Sequence, residues 1–548
     1  MLNGRMMDMP LLISSIIDYA ADVRSSSEIV SQTVEGNIHR YTYADSHRRT
    51  SQLANALKKL GVNEGDRVAT LAWNGYRHFE LYYAVTGIGA VCHTINPRLF
   101  ADQIIYVINH AKDRIIFIDQ TFVPIVEKLV DRLPNDLIYV ILCNKGDMPD
   151  TSLPKPLCFE ELISSEASTI SWPNLDERAA SSLCYTSGTT GNPKGVLYSH
   201  RSILLHTFGM LTFAADVGLT PSSTVLPVVP LFHANAWGLP FAVPLVGAKL
   251  VFPGAALDGA SLFSLMDKER VKAAWGVPTI WLGLLAEMRK QKRKPQEFSF
   301  MLSGGSAVPR SMIQELEKEF GVDVTHGWGM TECSPVGSTT TLGSQAKELS
   351  FDEKVEFKTY QGRRMYTVDM RIVGEDGKLL PHDGKAFGEL QVKGHAIIDG
   401  YHEDEEASVA AMTEDGWLKT GDVARITPEG FMMLVDRTKD LIKSGGEWIS
   451  SIDLENAAQG HPSIMECAVI SAYDPQWGER PLLIAVTENN VTLNLEDIHE
   501  YLNDKVAKWW LPDDVVFVEE LPHTATGKIS KMTLREQFKD YKFEHSEN

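Results

Sequence analysis

The residues best suited to chemistry lie in one short segment, YTSGTTGNPKG, at Tyr185–Gly195. Its three glycines let the backbone turn tightly and approach a ligand, its Thr and Ser hydroxyls offer donors, and Lys194 supplies a positive charge. These features suit the triphosphate of a nucleotide. The G-x-x-x-x-G-K-[ST] spacing of a Walker P-loop is absent, so for this segment alone a flexible loop is an equal alternative.

The loop lies within a pattern of alternating strands and helices. Short apolar runs rich in branched residues recur, and helical patterns separate them. The predicted strands are Arg67–Asn74, Arg114–Asp119, Leu137–Cys143, Ala248–Phe252 and Phe298–Gly305, and the predicted helices between them include Glu80–Val91 and Val123–Arg132. This alternation predicts an α/β protein with a parallel sheet flanked by helices.

The texture of the chain changes near Val435–Ser444, where a charged and glycine-containing passage begins. The sequence after it predicts a small α+β unit, with strands at Cys467–Ser471 and Leu482–Glu488 and a helix at Leu495–Lys508. We therefore predict a domain boundary at 437–440. A chain of 548 residues is also too long for a single hydrophobic core.

Composition and charge exclude several classes of protein. The formal net charge of -20 argues against a broad basic surface for nucleic acid, although a pocket that binds a small polyanion stays possible. The six cysteines have no C-x-x-C spacing, which argues against a zinc site or a disulfide framework. The apolar run near the N-terminus predicts an amphipathic helix rather than a signal peptide, and no integral membrane segment is expected. A cytoplasmic location is the default expectation.

The loop at Tyr185–Gly195 is similar to the signature of the acyl-CoA synthetase, adenylation-domain and luciferase superfamily. Further motifs of that family follow in order between about Thr42 and Arg535, nearly the whole chain. They are PLFHANAWG (Pro230–Gly238), SGGSAVP (Ser303–Pro309), HGWGMTE (His326–Glu332), GWLKTGDVA (Gly416–Ala424), DRTKDLIKSGGEWIS (Asp436–Ser450) and HTATGKISK (His523–Lys531). Seven matches in the family's order exceed what chance would produce.

The resemblance implies a fold and a reaction. The fold would be a large N-terminal domain of packed α/β subdomains at 1–436, a hinge at 437–440 and a small mobile α+β domain at 441–548. The reaction would be ATP-dependent and Mg²⁺-requiring, with adenylation of a carboxylic acid followed by transfer of the acyl group to coenzyme A. A homodimer held through the N-terminal part is implied as well.

The resemblance also assigns residues to the nucleotide. Glu332 would bind Mg²⁺, Asp422 would accept hydrogen bonds from the ribose hydroxyls, and Arg437 would contact the ribose and phosphates. The triphosphate would be held by Thr186, Ser187, Gly188, Thr189, Thr190, Gly191, Lys194 and Thr331. The adenine shelf would consist of Gly304, Gly305, Ser306, His326, Gly327, Trp328, Gly329 and Met330, with adenine stacked on backbone and on Trp328.

Two lysines and one loop would divide the half-reactions between them. Lys528 resembles the family's adenylation lysine, a mobile charge that can reach both the carboxylate and the α-phosphate. Lys439 occupies the hinge position, and a turn there would withdraw Lys528. The turn would bring in the loop for coenzyme A, which comprises Lys443, Ser444, Gly445, Gly446, Glu447 and Trp448.

The acid would lie along PLFHANAWG. The expected substrate contacts are His233 near the carboxylate, Asn235, Trp237, Gly304 and Pro335, although Trp237 could simply be part of the core. Because no arginine or second histidine stands near these motifs, we expect a monocarboxylate with an apolar tail. The chain looks most similar to bacterial medium-chain fatty-acid–CoA ligases and 3-methylmercaptopropionate–CoA ligases.

Three points stay open at this level. A stand-alone enzyme that loads a carrier protein is the alternative function, and a non-catalytic nucleotide sensor is a more remote one. The sequence does not separate a fatty acid from 3-methylmercaptopropionate as the substrate. After Gln361 and Gly362, many relatives carry a Gly/Pro-rich turn where this chain reads RRMYTV, so the role of Arg363–Val368 is not predicted.

Overall fold

A computed structural model describes residues 2, 4–186, 192–445, 447–487, 493–524 and 528–543 of the chain. The predicted residues Ser187, Gly188, Thr189, Thr190, Gly191 and Gly446 lie outside these ranges. Within the described ranges, no helix combines the length and apolar character needed to cross a membrane. All six cysteines are buried and free.

The described strands form three sheets of seven, thirteen and five strands. They are β1 (Glu28–Gln32), β2 (Ile38–Thr42), β3 (Arg67–Leu71), β4 (Val91–Thr94), β5 (Asp113–Asp119), β6 (Ile138–Leu142), β7 (Leu157–Cys158), β8 (Ala180–Thr186), β9 (Lys194–Ser199), β10 (Thr224–Pro227), β11 (Lys249–Phe252), β12 (Ala273–Gly276), β13 (Phe300–Gly304), β14 (Asp323–Gly329), β15 (Val336–Thr339), β16 (Gly362–Arg364), β17 (Asp369–Val373), β18 (Phe387–Lys393), β19 (Leu418–Ile426), β20 (Phe431–Arg437), β21 (Ile442–Ser444), β22 (Glu447–Ile449), β23 (Ile464–Asp474), β24 (Gly478–Thr487) and β25 (Asp514–Phe517).

Helices pack against these sheets. They are α1 (Ser14–Val23), α2 (Tyr43–Lys59), α3 (Tyr76–Gly87), α4 (Ala101–Ala111), α5 (Val123–Glu127), α6 (Phe159–Ser164), α7 (His200–Leu211), α8 (Leu239–Val246), α9 (Gly259–Glu269), α10 (Pro278–Gln291), α11 (Arg310–Lys318), α12 (Phe351–Thr359), α13 (Glu405–Ala411), α14 (Ser451–Ala458), α15 (Leu495–Leu502) and α16 (Lys531–Gln537).

The seven-stranded sheet has the order β7-β6-β5-β3-β4-β8-β9 and is parallel except for its last pair. The parallel sheet predicted from the sequence is therefore confirmed. Its central strands are buried on both faces, which explains their continuous apolar runs. The antiparallel β8–β9 hairpin places the ends of the phosphate segment, Thr186 and Lys194, opposite each other at the edge of the sheet.

The thirteen-stranded sheet changes character along its length. From β11 through β10, β12 and β13 to β14 its strands are parallel, and beyond β14 they are antiparallel, in the order β15-β16-β20-β19-β18-β17. Gly304 and Gly329 end β13 and β14 on the same side of the sheet. Two of the motifs named above, SGGSAVP and HGWGMTE, therefore lie at the same edge of the sheet.

Three predicted helices end earlier than expected. The helix at Glu80–Val91 ends at Gly87, because Gly89 adopts a positive φ and the chain then enters β4. The helix at Val123–Arg132 is α5 followed by a separate 3₁₀ turn. The helix at Leu495–Lys508 ends at Leu502, where Asn503 and Asp504 favour a turn.

The boundary between the thirteen-stranded and five-stranded sheets lies at the charged, glycine-containing passage noted in the sequence. β20 is the last strand, in chain order, of the thirteen-stranded sheet and ends at Arg437, whereas β21 begins the five-stranded sheet at Ile442. The five-stranded sheet has its own buried core, which includes Ile449, Leu483 and Ile498. The proposed hinge, 437–440, thus lies between two sheets with separate cores.

Asn74 links the seven-stranded and thirteen-stranded sheets. It follows β3, is 3% exposed, and donates from Nδ2 to the carbonyls of Pro227 at 2.8 Å and Val229 at 2.9 Å. Its Oδ1 accepts from the backbone N–H of Leu231 at 2.6 Å. One side chain therefore satisfies three buried backbone groups of the segment that leads to PLFHANAWG.

We expect Asn74→Ala to lower the free energy of unfolding by about 3 kcal/mol, because it leaves buried backbone groups without partners. For a unit of this size that corresponds to a fall in melting temperature of about 3 °C, measured by scanning calorimetry. The exposed Asn503 provides the matched control, as Asn503→Ala removes no buried contact. If the melting temperature of Asn74→Ala lay within about 1 °C of that of the control, the link between the two sheets through Asn74 would be contradicted.

Candidate active site

Glu332 and Lys194 both contact the side chain of Tyr401. Glu332 lies in a 3₁₀ turn after β14, is 6% exposed, and accepts a hydrogen bond at Oε1 from the phenol of Tyr401 at 2.8 Å. Lys194 holds its Nζ 5.0 Å from the centre of the Tyr401 ring. Burial raises the pKa of Glu332, while the Tyr401 hydrogen bond and the charges of Arg437 and Lys194 oppose that rise.

Backbone contacts hold these groups in place. The N–H of His402 donates to the carbonyl of Gly195 at 2.8 Å, which joins the Tyr401 segment to the edge strand β9. The phenol of Tyr198, also on β9, donates to the carbonyl of Thr331 at 2.7 Å. The β8–β9 hairpin of the seven-stranded sheet is thereby attached to the Thr331–Glu332 turn, which follows β14 of the thirteen-stranded sheet.

Asp422 has both carboxylate oxygens engaged. The indole Nε1 of Trp328 donates to Oδ2 at 2.8 Å, and Nε of Arg437 lies 3.2 Å from Oδ1. Asp422 and Arg437 are directly paired across β19 and β20, so the sheet register places them together. The sequence predicted Trp328 as a stacking surface, and the structure adds that its N–H orients the Asp422 carboxylate.

Lys528 lies beside the glycines that end β13. A β-carbon on Gly305 would lie 3.4 Å from Cε of Lys528, and Gly305 has a φ of +84° that only glycine adopts readily. Burial and the positive charge of Arg437 lower the pKa of Lys528 to about 8, while Asp422 opposes the shift. Burial, with a contribution from Lys528, lowers the pKa of His233 to about 4.

The predicted adenine shelf is a close contact between two strands. Gly304 and Gly327 are partners in the β13–β14 ladder, and a β-carbon on Gly304 would lie 2.9 Å from the Gly327 carbonyl oxygen. A β-carbon on Gly329 would lie 2.2 Å from the carbonyl oxygen of Pro335. That oxygen also accepts a hydrogen bond from the N–H of Met330. Any larger residue would push these segments apart.

The side chains of Ser306 and His326 differ in their surroundings. Ser306 is exposed in the bend after Gly305. His326 is buried, its Nδ1 lies 3.1 Å from the carbonyl of Thr359, and burial lowers its pKa to about 4. Near neutral pH His326 is therefore an uncharged imidazole that contacts backbone.

The segment predicted to hold the acid has an unusual backbone. Ala234, Asn235, Ala236 and Trp237 have φ values from 42° to 56°, a left-handed turn that non-glycine residues rarely adopt and that concentrates at functional sites. Asn235 is 1% exposed, and its Nδ2 has no hydrogen-bond partner among the described residues. The tip of the Trp237 indole lies 3.3 Å from the position a β-carbon would take on Gly304.

Sequence reasoning missed several residues here. His206 on α7 is buried, accepts the N–H of Val336 at Nε2 at 3.1 Å, and contacts the turn at Gly238. Gly209 lies against the Arg363–Val368 loop, since a β-carbon there would meet Cε of Met365 at 2.8 Å and Oγ1 of Thr367 at 3.2 Å. Met365 belongs to the same buried cluster as Trp237. No spacing in the sequence links these positions.

The loop assigned to coenzyme A forms a separate hairpin. In β21 and β22, Nζ of Lys443 lies 4.7 Å from the ring centre of Trp448 and 3.9 Å from Oε1 of Glu375. Gly445 has a φ of +58° and donates its N–H to the carbonyl of Trp477. In this arrangement Lys528, not the hairpin, occupies the space beside Gly305.

Lys439, in the predicted hinge, is followed by Asp440, which pairs with Arg535 of α16. Burial lowers the pKa of Lys439, the charge of Asp440 opposes this, and Arg437 and Arg535 add to the lowering. The N–H of Thr438 donates to the carbonyl of Gly421 at 3.0 Å. The N–H groups of Asp440 and Leu441 both donate to the carbonyl of Arg437.

The donor set near Glu332 fits Mg²⁺ bound together with phosphates. In the part of the chain that the structure describes, no group of three or more His, Cys, Asp and Glu side chains could hold a metal ion by itself. Magnesium is commonly held by one or two carboxylates plus substrate phosphates and water. A single oriented carboxylate beside a phosphate loop meets that requirement.

Comparisons with known proteins agree with this geometry. Residues 19–402 match the family described as AMP-binding enzyme, and residues 453–528 match the AMP-binding enzyme C-terminal domain. The chain is 48% identical to the medium-chain-fatty-acid–CoA ligase of Ectopseudomonas oleovorans, over 98% of each chain. It is 45% identical to the 3-methylmercaptopropionyl-CoA ligase of Ruegeria lacuscaerulensis, over 98% of this chain and 99% of that relative.

The fold is also that of a solved structure, the anthranilate CoA ligase AuaEII in complex with anthranoyl-AMP. The TM-score is 0.86 and the sequence identity 24%, over 97% of this chain and 98% of that one. This likeness supports the large N-terminal domain and the small C-terminal domain. The family match covers most of the chain, and near-full-length relatives share almost half of its residues. The chain belongs to the AMP-binding enzyme family.

Proposed function

We propose that the protein is an ATP-dependent ligase that joins a carboxylic acid to coenzyme A through an acyl-adenylate and releases AMP and pyrophosphate. The observation that carries the proposal is that Lys528 lies beside Gly305, where the charges of the Asp422–Arg437 pair act on it. The CoA-ligase activity of the two full-length relatives supports the second half of the reaction.

A carboxylate is a poor acyl donor because its leaving group would be oxide. Attack of a carboxylate oxygen on the α-phosphorus of ATP forms an acyl–phosphate bond and breaks the bond to pyrophosphate, so the acyl group then has AMP as its leaving group. Negative charge accumulates in that transition state, and fixed cations in a dry site stabilise it. Attack of the CoA thiol then forms the thioester.

The cations of the site have distinct tasks in this scheme. Lys528, beside Gly305, would stabilise the α-phosphate and the incoming carboxylate. Lys194 would contact the outer phosphates, and Arg437 the ribose and phosphates next to Asp422. Bound through Glu332, Mg²⁺ would neutralise charge on the triphosphate. Asp422, oriented by its hydrogen bond from Trp328, would accept hydrogen bonds from the ribose hydroxyls.

The second half-reaction needs a different arrangement of the C-terminal domain. A turn at Lys439 would withdraw Lys528 and bring the Lys443–Trp448 hairpin to the acyl-adenylate. The short connection between the two sheets, and their separate cores, support such a rigid-body turn. Loading of a carrier protein instead of CoA is not favoured, because the full-length relatives named above are CoA ligases.

The acid is proposed to be a short- or medium-chain monocarboxylate, either a fatty acid or 3-methylmercaptopropionate. The unpartnered Nδ2 of Asn235 would donate to its carboxylate, and Trp237, Val336 and Met365 would line its tail. A thioether is about as apolar as a short alkyl chain, so one pocket suits both acids.

We also propose a cytoplasmic homodimer, for which light scattering would give about twice the chain mass.

Lys528→Ala is expected to lower ATP–pyrophosphate exchange at least about 1000-fold, because the transition state loses its closest cation. The same variant should convert supplied acyl-adenylate and CoA to thioester at a rate within about threefold of the unchanged protein. The exposed Lys539 gives the control, since Lys539→Ala should leave both half-reactions intact. An equal loss of both half-reactions in Lys528→Ala would refute this division of labour.

The pKa of Lys528, about 8, predicts the pH dependence of adenylation. The lysine must be charged, so kcat/KM for ATP, which reports the free enzyme, should fall above pH 8 and be constant below it. Lys528→Arg should have a lower plateau but no decline near pH 8, because guanidinium stays charged. A decline near pH 8 that persists unchanged in Lys528→Arg would assign it to another group.

AMP release measured with CoA, Mg²⁺ and acids from C2 to C12, plus 3-methylmercaptopropionate, tests the pocket. Gly209→Val should push Met365 into it and lower kcat/KM for octanoate by about tenfold, with a smaller loss for butyrate. Gly146→Val is the control, because no atom lies within 4 Å of a β-carbon there. Equal losses for all chain lengths, or equal turnover of aromatic acids, would count against this pocket.

A further inference from the structure

Tyr401 contacts two residues that come from different sheets. Its phenol donates to Oε1 of Glu332 at 2.8 Å, and its ring face lies 5.0 Å from Nζ of Lys194. Lys194 begins β9 of the seven-stranded sheet, whereas Glu332 follows β14 of the thirteen-stranded sheet. One side chain thus touches both a carboxylate and a cation of the candidate site.

The backbone around Tyr401 is tied to the same two elements. The N–H of Ile398 donates to the carbonyl of Glu332 at 3.1 Å, and the N–H of His402 donates to the carbonyl of Gly195 at 2.8 Å. The N–H of Tyr401 itself donates to Oγ of Ser408 at 2.8 Å, in the middle of α13. Tyr401 is therefore held against both partners by main-chain bonds that do not depend on its phenol.

The two side-chain contacts constrain different degrees of freedom. The hydrogen bond to Oε1 restricts rotation of the Glu332 carboxylate, and it thereby also fixes the direction of Oε2. The ring face attracts the Lys194 ammonium through its quadrupole, so it holds that charge without supplying a carboxylate that would compete with phosphate. An acidic residue in this place would neutralise Lys194, and an aliphatic one would hold neither group.

We propose that Tyr401 is a positioning residue that presents the Glu332 carboxylate and the Lys194 ammonium together to Mg²⁺-bound ATP. The inference rests on the proposed function, in which Glu332 binds Mg²⁺ and Lys194 binds phosphate. It assigns the phenol to the metal-dependent part of nucleotide binding and the ring to the metal-independent part. A residue with only a packing role would affect both parts alike.

The test is calorimetric titration of the full-length protein with α,β-methylene-ATP, which cannot transfer its adenylyl group to an acid, with and without Mg²⁺. Tyr401→Phe keeps the ring and loses the hydroxyl, so the gain in affinity that Mg²⁺ provides should fall at least about tenfold, with Mg²⁺-free affinity within about threefold. Tyr401→Leu should lose Mg²⁺-free affinity as well. The 72% exposed Tyr473 provides the control variant Tyr473→Phe.

A Tyr401→Phe variant with the Mg²⁺ gain of the unchanged protein would overturn the inference and leave the proposed function standing. An equal fall with and without Mg²⁺ would also overturn it, since that is the signature of a packing role. If the unchanged protein gains no affinity from Mg²⁺, both the metal role of Glu332 and the inference fail. Melting temperatures of the two variants report whether each is folded.

Discussion

The structure depends on placing charged groups of opposite sign close to one another, among them Asp422 and Arg437. Glu332 and Asp422 are each less than a tenth exposed, and Lys528 lies against the backbone of β13. A buried charge is tolerated only when fixed partners offset its lost hydration. Trp328, Arg437 and Tyr401 supply those partners from three separate strands and loops. The same partners fix the orientation of these charges, and the space that they surround is the proposed nucleotide site.

The sheets are arranged so that this space lies where they end. β13 and β14 finish at glycines that permit backbone contact, and the β8–β9 hairpin approaches from the seven-stranded sheet. The β19–β20 pair adds Asp422 and Arg437 in register. Asn74 attaches the segment that leads to PLFHANAWG to the seven-stranded sheet. Asp422, Arg437 and Lys194 therefore have places set by strand register, whereas Glu332 lies in the turn that follows β14.

Much of the fold and part of the site could be predicted from the sequence. The parallel strands were predictable because a buried strand must be apolar on both faces. The glycines at Gly304, Gly305 and Gly329 were predictable from their motifs, and the structure explains them by contacts that a β-carbon would block. Helix ends were less predictable, as at Gly87 and Leu502, because turn-forming residues and the next element decide them.

The sequence by itself determined the fold class, the order of the motifs and the residue types able to do the chemistry, since these depend on local pattern and side-chain identity. Only the tertiary structure decided which of them meet. Tyr401 stands 69 residues from Glu332 and more than 200 from Lys194, and His206 bonds Val336 across 130 residues. Met365 reaches Gly209 from a loop without a motif. Such contacts follow from sheet order and packing, which bring distant segments together and which spacing along the chain does not encode.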